Sequence, residues 1–90
     1  MSANITVTLS KPIEHNGESY SELSFREPEL GDFIAADAIN GELGKTAAVL
    51  ASMADVPFPA MKRLSMSDMN KIMDAVGHLM GNAPQVESGD

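Results

Sequence analysis

The stretch Asn40-Gly41-Glu42-Leu43-Gly44-Lys45-Thr46 ends in the letters of a phosphate-binding loop and runs into a helix-forming segment, AAVLASM. Such a loop works because the backbone N–H groups of G-x-x-x-x-G-K-[ST] wrap a phosphate chain, while the lysine and hydroxyl reach its oxygens and metal. Here the position five before Gly44 is Ile39. The nearest upstream glycine is Gly41, so the loop is two residues short. The residues before it have helical periodicity, whereas the motif follows a buried strand. The stretch therefore reads as a helix-to-helix turn, with Lys45 and Thr46 in the first turn of the second helix. No nucleotide cofactor is expected.

Other reactive side chains also lack partners at useful spacing. His15 lies beside a turn and His78 on the polar side of a helix with Lys71 and Asp74. No His-x3-His or His-x2-Glu pair is present to hold a metal. Glu27, Glu29, Asp32 and Asp37 gather around the first helix, and at a helix start the macrodipole alone accounts for carboxylates. A catalytic carboxylate pair would need two environments that separate the pKa values, and nothing predicts such a cleft. No Gly-x-Ser-x-Gly elbow occurs, and the absence of cysteine removes thiol nucleophiles, disulfides and cysteine-based zinc sites. The chain does not read as an enzyme, and no cofactor is expected.

Methionine is the unusual residue. Five of seven fall between Met61 and Met80: Met61, Met66, Met69, Met73 and Met80. Methionine fills irregular cores, but its flexible thioether also suits binding surfaces that accept more than one partner geometry. One hairpin and three helices are too little structure to cover all five, so Met61, Met66, Met69, Met73 and Met80, with Phe58, form the candidate protein-binding surface.

The elements that must position these residues follow from periodicity. Ile5, Val7 and Leu9 alternate with polar residues, and Asn16-Gly17 is a strong type I′ hairpin turn. Pairing outward from that turn sets Ile13 against Tyr20 but then strands the apolar face. One extra residue at Lys11-Pro12 restores it, pairing Leu9 with Leu23 and Val7 with Phe25, so a bulge is expected there. Pro28 opens a first helix whose apolar face is Leu30, Phe33, Ile34 and Ala38, stopped by Asn40-Gly41. A second helix, from about 43 to 54, lines one side with Leu43, Ala47, Leu50, Met53 and Ala54. Pro57 and Pro59 make the next segment an extended connector. Ser65 caps a third helix, with Asp68 reaching back and Leu64 stapled to Met69; Gly81-Asn82 ends it. The fold class is α+β: an N-terminal β-hairpin followed by three α-helices in one domain over residues 5–81, with residues 82–90 a disordered tail.

Ninety residues support one domain that buries only about 60% of its unfolded surface. Hydrophobic content of 43% and charged content of 21% fit a globular chain. With six basic residues and a net charge of -7, the chain is poorly suited to nucleic acid or an anionic membrane surface. No signal peptide or membrane-length apolar run is visible, which predicts a soluble, intracellular protein.

The run ITVTLSKPIEHNGESYSELSFREPELGDFIAADA resembles the start of tail assembly chaperones of Mu-like phages and their contractile-tailed relatives. The resemblance is carried by Leu9-Ser10-Lys11-Pro12-Ile13, the Asn16-Gly17 turn, Tyr20, and Leu23 through Pro28 before Gly31-Asp32. An alanine-rich helix, the break at Pro57 and the helix opening of Leu64 through Asp68 extend it to about residues 5–80. Relatives often carry threonine after the proline where this chain has Glu29. The resemblance implies a non-enzymatic partner of the long helical tape measure protein, keeping it soluble until the tail tube protein polymerises around it. It also implies action in the host cytoplasm, absence from the mature virion, and a longer frameshifted form of the same chain. A permanent small structural component of a phage tail is the alternative.

Overall fold

A computed structural model describes residues 4–80 of the chain. Strand β1 (Ile5–His15) and strand β2 (Glu18–Phe25) form an antiparallel two-stranded sheet. Four helices follow: α1 (Leu30–Ala36), α2 (Glu42–Ala54), α3 (Phe58–Met61) and α4 (Met66–Val76), with a 3₁₀ turn over Gly77–Met80. The α+β single domain agrees with expectation, but the helix count is four, not three. The extra helix is α3, where an extended connector was expected. Pro57 is its N-cap and Pro59 falls in its first turn, where a missing N–H breaks no intrahelical bond. Two prolines thus start a short helix instead of preventing one.

The hairpin turn is as its sequence demands, with positive φ at both Asn16 (52°) and Gly17 (81°). Near the turn Ile13 faces Tyr20. Beyond it the register shifts further than expected, setting Val7 against Leu23 and Ile5 against Phe25. The four residues Leu9 to Pro12 of β1 face only Ser21 of β2, so three extra residues loop out instead of one. Side chains alternate along a strand, so any odd insertion restores the apolar face. Parity was therefore predictable from the sequence, and the size of the bulge was not.

One face of the hairpin carries the core. Val7, Leu9, Ile13, Leu23 and Phe25 are buried against Leu50 and Met53 of α2, Ala60 and Met61 of α3, and Met69, Ile72 and Val76 of α4. Complete burial of Phe25 or Ile72 stabilises the fold by roughly 1.5–3 kcal/mol each relative to exposure. The opposite face is polar, and a Thr6–Ser24 hydroxyl pair (2.8 Å) bridges the strands there.

Helix α1 departs from its predicted orientation. It packs on α2, and Asp32 and Ala36 are its buried residues, while Leu30, Phe33 and Ile34 are exposed. Leu43 of α2, also expected inside, is exposed; the buried side of α2 is Val49, Leu50, Ala51 and Met53. The physical reason is the small core. The hairpin's one apolar face is already covered by α2, α3 and α4, leaving α1 only α2 to rest on. Helix α4 ends at Val76 and tightens into the 3₁₀ turn. The stop expected at Gly81-Asn82 and the tail at 82–90 lie outside the described residues.

Candidate functional site

Two buried aspartates, Asp32 and Asp68, hold the helices to the hairpin, and each sits in the first turn of its helix. Asp32 receives a two-pronged contact from Arg26, Nη1 and Nη2 each donating at 2.8 Å. It also accepts the Glu29 N–H at 2.7 Å and a short hydrogen bond from the Ser52 hydroxyl of α2. Arg26 donates onward to the Ser52 carbonyl at 3.0 Å. The end of β2, the start of α1 and the last turns of α2 are thereby tied into one network. The Arg26 guanidinium, helped by the Glu29 amide and Ser52, holds the Asp32 carboxyl well below the usual carboxylate range despite burial. A planar fork matches a carboxylate in a way that a lysine cannot.

Asp68 does not reach back to cap its own helix. Ser65 accepts the Asp68 N–H at 3.2 Å as expected, but the Asp68 carboxylate turns to the bulge of β1. It accepts the Ser10 N–H at 3.0 Å, the Ser10 hydroxyl at 2.8 Å and the Lys11 N–H at 3.1 Å. Lys71, one turn on, donates to the Thr8 carbonyl at 2.8 Å. A three-residue bulge strips ladder partners from these backbone groups, and α4 supplies replacements. The Ser10 amide, with the Ser10 hydroxyl and Lys11 amide, lowers the Asp68 pKa to about 2 against the opposing effect of burial.

Four of the candidate binding residues meet in one place. An open groove of about 480 Å³ runs between the α1–α2 turn, α2, α3 and the start of α4. Phe58, Met61, Met66 and Met69 line it, together with Ile39, Leu43, Ala47 and Leu64. Met61 and Met69 form its floor, being only 2% and 7% exposed, while Met66 stands at the rim with 59% exposed. Met73 is half-buried against the core and does not line the groove. The Met80 side chain lies outside the described residues. Ile39, Leu43 and Leu64 were not expected here. Their i, i+4 spacing from Ile39 to Leu43 spans a glycine turn, which hid it from a helical reading.

The glycine-lysine-threonine stretch now has a structural account. A Cβ on Gly44 would meet Ile39 Cγ2 at 2.9 Å, so the glycine lets the turn lie flat on α2. Lys45 donates from Nζ to the Asp37 carbonyl at 3.2 Å, closing the end of α1. Gly41, at φ 88°, is the N-cap of α2. The lysine thus serves a helix terminus.

His78 is exposed and His15 half-buried beside Asn16, which lies 3.3 Å from its Nε2. Among the described residues no group of three His, Cys, Asp or Glu is placed to hold a metal ion, and no helix is long and apolar enough to cross a membrane.

Comparison with known proteins decides the family. Residues 6–81 match the family described as "Phage tail assembly chaperone proteins, E, or 41 or 14", which is nearly the whole chain. The chain belongs to that phage tail assembly chaperone family. No curated protein and no solved structure matches it. For a tail assembly chaperone, the anchors and the groove divide the labour. Asp32 and Asp68 fix a small fold, and the methionine-floored groove is left as an open apolar surface.

Proposed function

We propose that the groove binds an apolar stripe of the helical tape measure protein, keeping it soluble until the tail tube polymerises around it. The observation that supports this reading is the groove itself: apolar, open, floored by Met61 and Met69 and rimmed by Met66, Leu43 and Phe58. A long helix exposes i, i+3, i+4, i+7 anchors that aggregate unless covered, and a groove is the natural receptor for them. Methionine side chains adapt to many sequences, so one groove serves successive stretches of a long target. Contacts of this kind remain weak enough to be displaced by the tail tube protein.

The role is binding rather than catalysis. It is exercised in the host cytoplasm, with the chaperone released before the virion matures. A longer frameshifted form would carry the same groove with an added segment. Co-expression with the tape measure protein tests the proposal. A soluble complex that is lost with Leu43→Glu/Met66→Glu supports it. A tape measure protein that stays soluble without the chaperone sinks it. Retention of the chaperone in purified particles would favour the alternative, a permanent structural component of the tail.

A further inference from the structure

Of the side chains that line the groove only Asn40 and Lys62 are polar, and Lys62 carries the one charge. Its ammonium lies 5.6 Å from the centroid of the Phe58 ring, within cation–π reach, which favours a place at the groove wall. Among the described residues Lys62 forms no ion pair, and no carboxylate lines the groove. The chain has 13 Asp and Glu against six Lys and Arg, so an unpaired cation at its apolar opening runs against the overall charge. The acidic residues are placed elsewhere: Glu14, Glu18 and Glu22 on the hairpin, and Glu27 and Glu29 leading into α1.

We propose that Lys62 selects what the groove accepts: a partner helix whose apolar i, i+3, i+4, i+7 stripe is bordered by Asp or Glu, and not by Lys or Arg. A helix laid over the groove covers Lys62 and strips part of its water. Taking a charge out of water is costly unless a partner charge replaces that water. A carboxylate beside the stripe supplies the partner, an alanine supplies none, and a lysine adds repulsion. Discrimination therefore comes as much from rejecting basic stripes as from holding acidic ones. Met61, Met66 and Met69 accept many side-chain shapes and so impose little choice of their own. Lys62 is the lining group that tells one amphipathic helix from another by charge.

At a distance the net charge of -7 works the other way, drawing basic partners toward the chain as a whole. At an ionic strength of about 0.15 M that field fades over roughly 8 Å, whereas a pair covered by the docked helix is screened much less. Contact with Lys62, rather than the distant field, then decides which helix stays. This inference rests on the groove being a helix-binding surface, as proposed above, but not on the identity of the tape measure protein.

Two labelled synthetic helices of identical composition provide the test. Both carry leucine at i, i+3, i+4 and i+7. In one, glutamates border the stripe and lysines lie on the opposite face; in the other the two are exchanged. Equal net charge cancels the pull of the chain as a whole. Binding to the full chain is read by fluorescence anisotropy at about 0.15 M salt, with the chaperone up to about 1 mM. The glutamate-bordered helix is expected to bind about three- to ten-fold more tightly. Lys62→Met should abolish the preference and Lys62→Glu should reverse it. Lys62 is exposed, so both variants fold, as circular dichroism checks. Leu43→Glu/Met66→Glu should weaken both helices, which places them in the groove. Equal affinities, a preference unchanged in Lys62→Glu, binding that survives the groove variant, or no binding of either helix overturns the proposal. If the preference holds but co-expressed tape measure protein is not captured, the proposed function fails alone. If that protein is captured while the two helices bind equally, the function stands and the charge selection falls.

Discussion

Asp68, in the first turn of α4, accepts the backbone N–H of Ser10 at 3.0 Å across 58 residues of chain. The same carboxylate accepts the Lys11 N–H at 3.1 Å, so one side chain serves two amides that the β-bulge has removed from the ladder. An off-register strand is thereby held by a helix that forms much later in the chain. Local helix capping and long-range tertiary anchoring come from residues three apart, Ser65 for the first and Asp68 for the second.

Replacing Asp68 with alanine leaves both amides and the Ser10 hydroxyl without that partner. Each of these hydrogen bonds is made to a charged acceptor, and a domain of this size translates their loss into a shift of several degrees in midpoint. Asp68→Ala is expected to lower Tm by roughly 5–15 °C. Asp68→Asn, which keeps an acceptor oxygen, should lose less. A thermal melt that leaves Asp68→Ala within a degree or so of wild type would show that the bulge does not depend on α4.

The pH dependence follows from the same groups. Asp32 and Asp68 both have folded pKa values below their ordinary value of 3.8. A depressed carboxyl stabilises the fold fully above its unfolded pKa, and that stabilisation disappears as pH falls through the folded pKa. Stability is therefore expected to be flat from neutral pH down to about 5, then to fall between about 4 and 2. Urea midpoints measured across this range check it, and Asp68→Asn should make the fall shallower. A midpoint that is unchanged at pH 2.5 would rule the two anchors out.

Gly44 and Lys45 give a third expectation. Gly44→Ala gains about 1 kcal/mol of helix propensity but forces the new Cβ onto Ile39, an overpacking cost of about 1–3 kcal/mol. The net change is destabilising by up to about 2 kcal/mol, and it disturbs the groove wall. Lys45→Met loses one exposed terminal hydrogen bond and is expected to cost about 0.5–1 kcal/mol. Chemical denaturation measures both. A Gly44→Ala variant more stable than wild type would mean that the turn does not lie flat on α2.

These residues also show how much of the protein was legible in its sequence. Alternation in β1 and the Asn16-Gly17 turn gave the hairpin, because both are local signals tied to backbone geometry. Ser65 gave the start of α4 for the same reason. The three-residue bulge was beyond reach, since its amides are satisfied by Asp68, whose nearness to Ser10 is a property of the folded chain. Leu30, Phe33 and Ile34 have the spacing of a core face, and periodicity cannot reveal that α2, α3 and α4 have already filled the hairpin's one apolar face. The methionine cluster pointed to the region of the groove. Ile39 and Leu43 joined it only through a turn that interrupts the helical pattern.

The most direct measurement is capture of the tape measure protein from co-expressing cells by the tagged full-length chaperone, with the soluble fraction of the tape measure protein read alongside. Wild type is expected to hold it in a soluble complex, and Leu30→Glu/Ile34→Glu, whose groove is intact, is expected to do the same. Leu43→Glu/Met66→Glu should lose at least ten-fold in capture, equivalent to about 1.4 kcal/mol or more of binding free energy, and leave the tape measure protein in the pellet. Capture by the folded groove variant at the wild-type level would contradict the groove as the binding site, and a tape measure protein that is soluble with no chaperone at all would contradict the function.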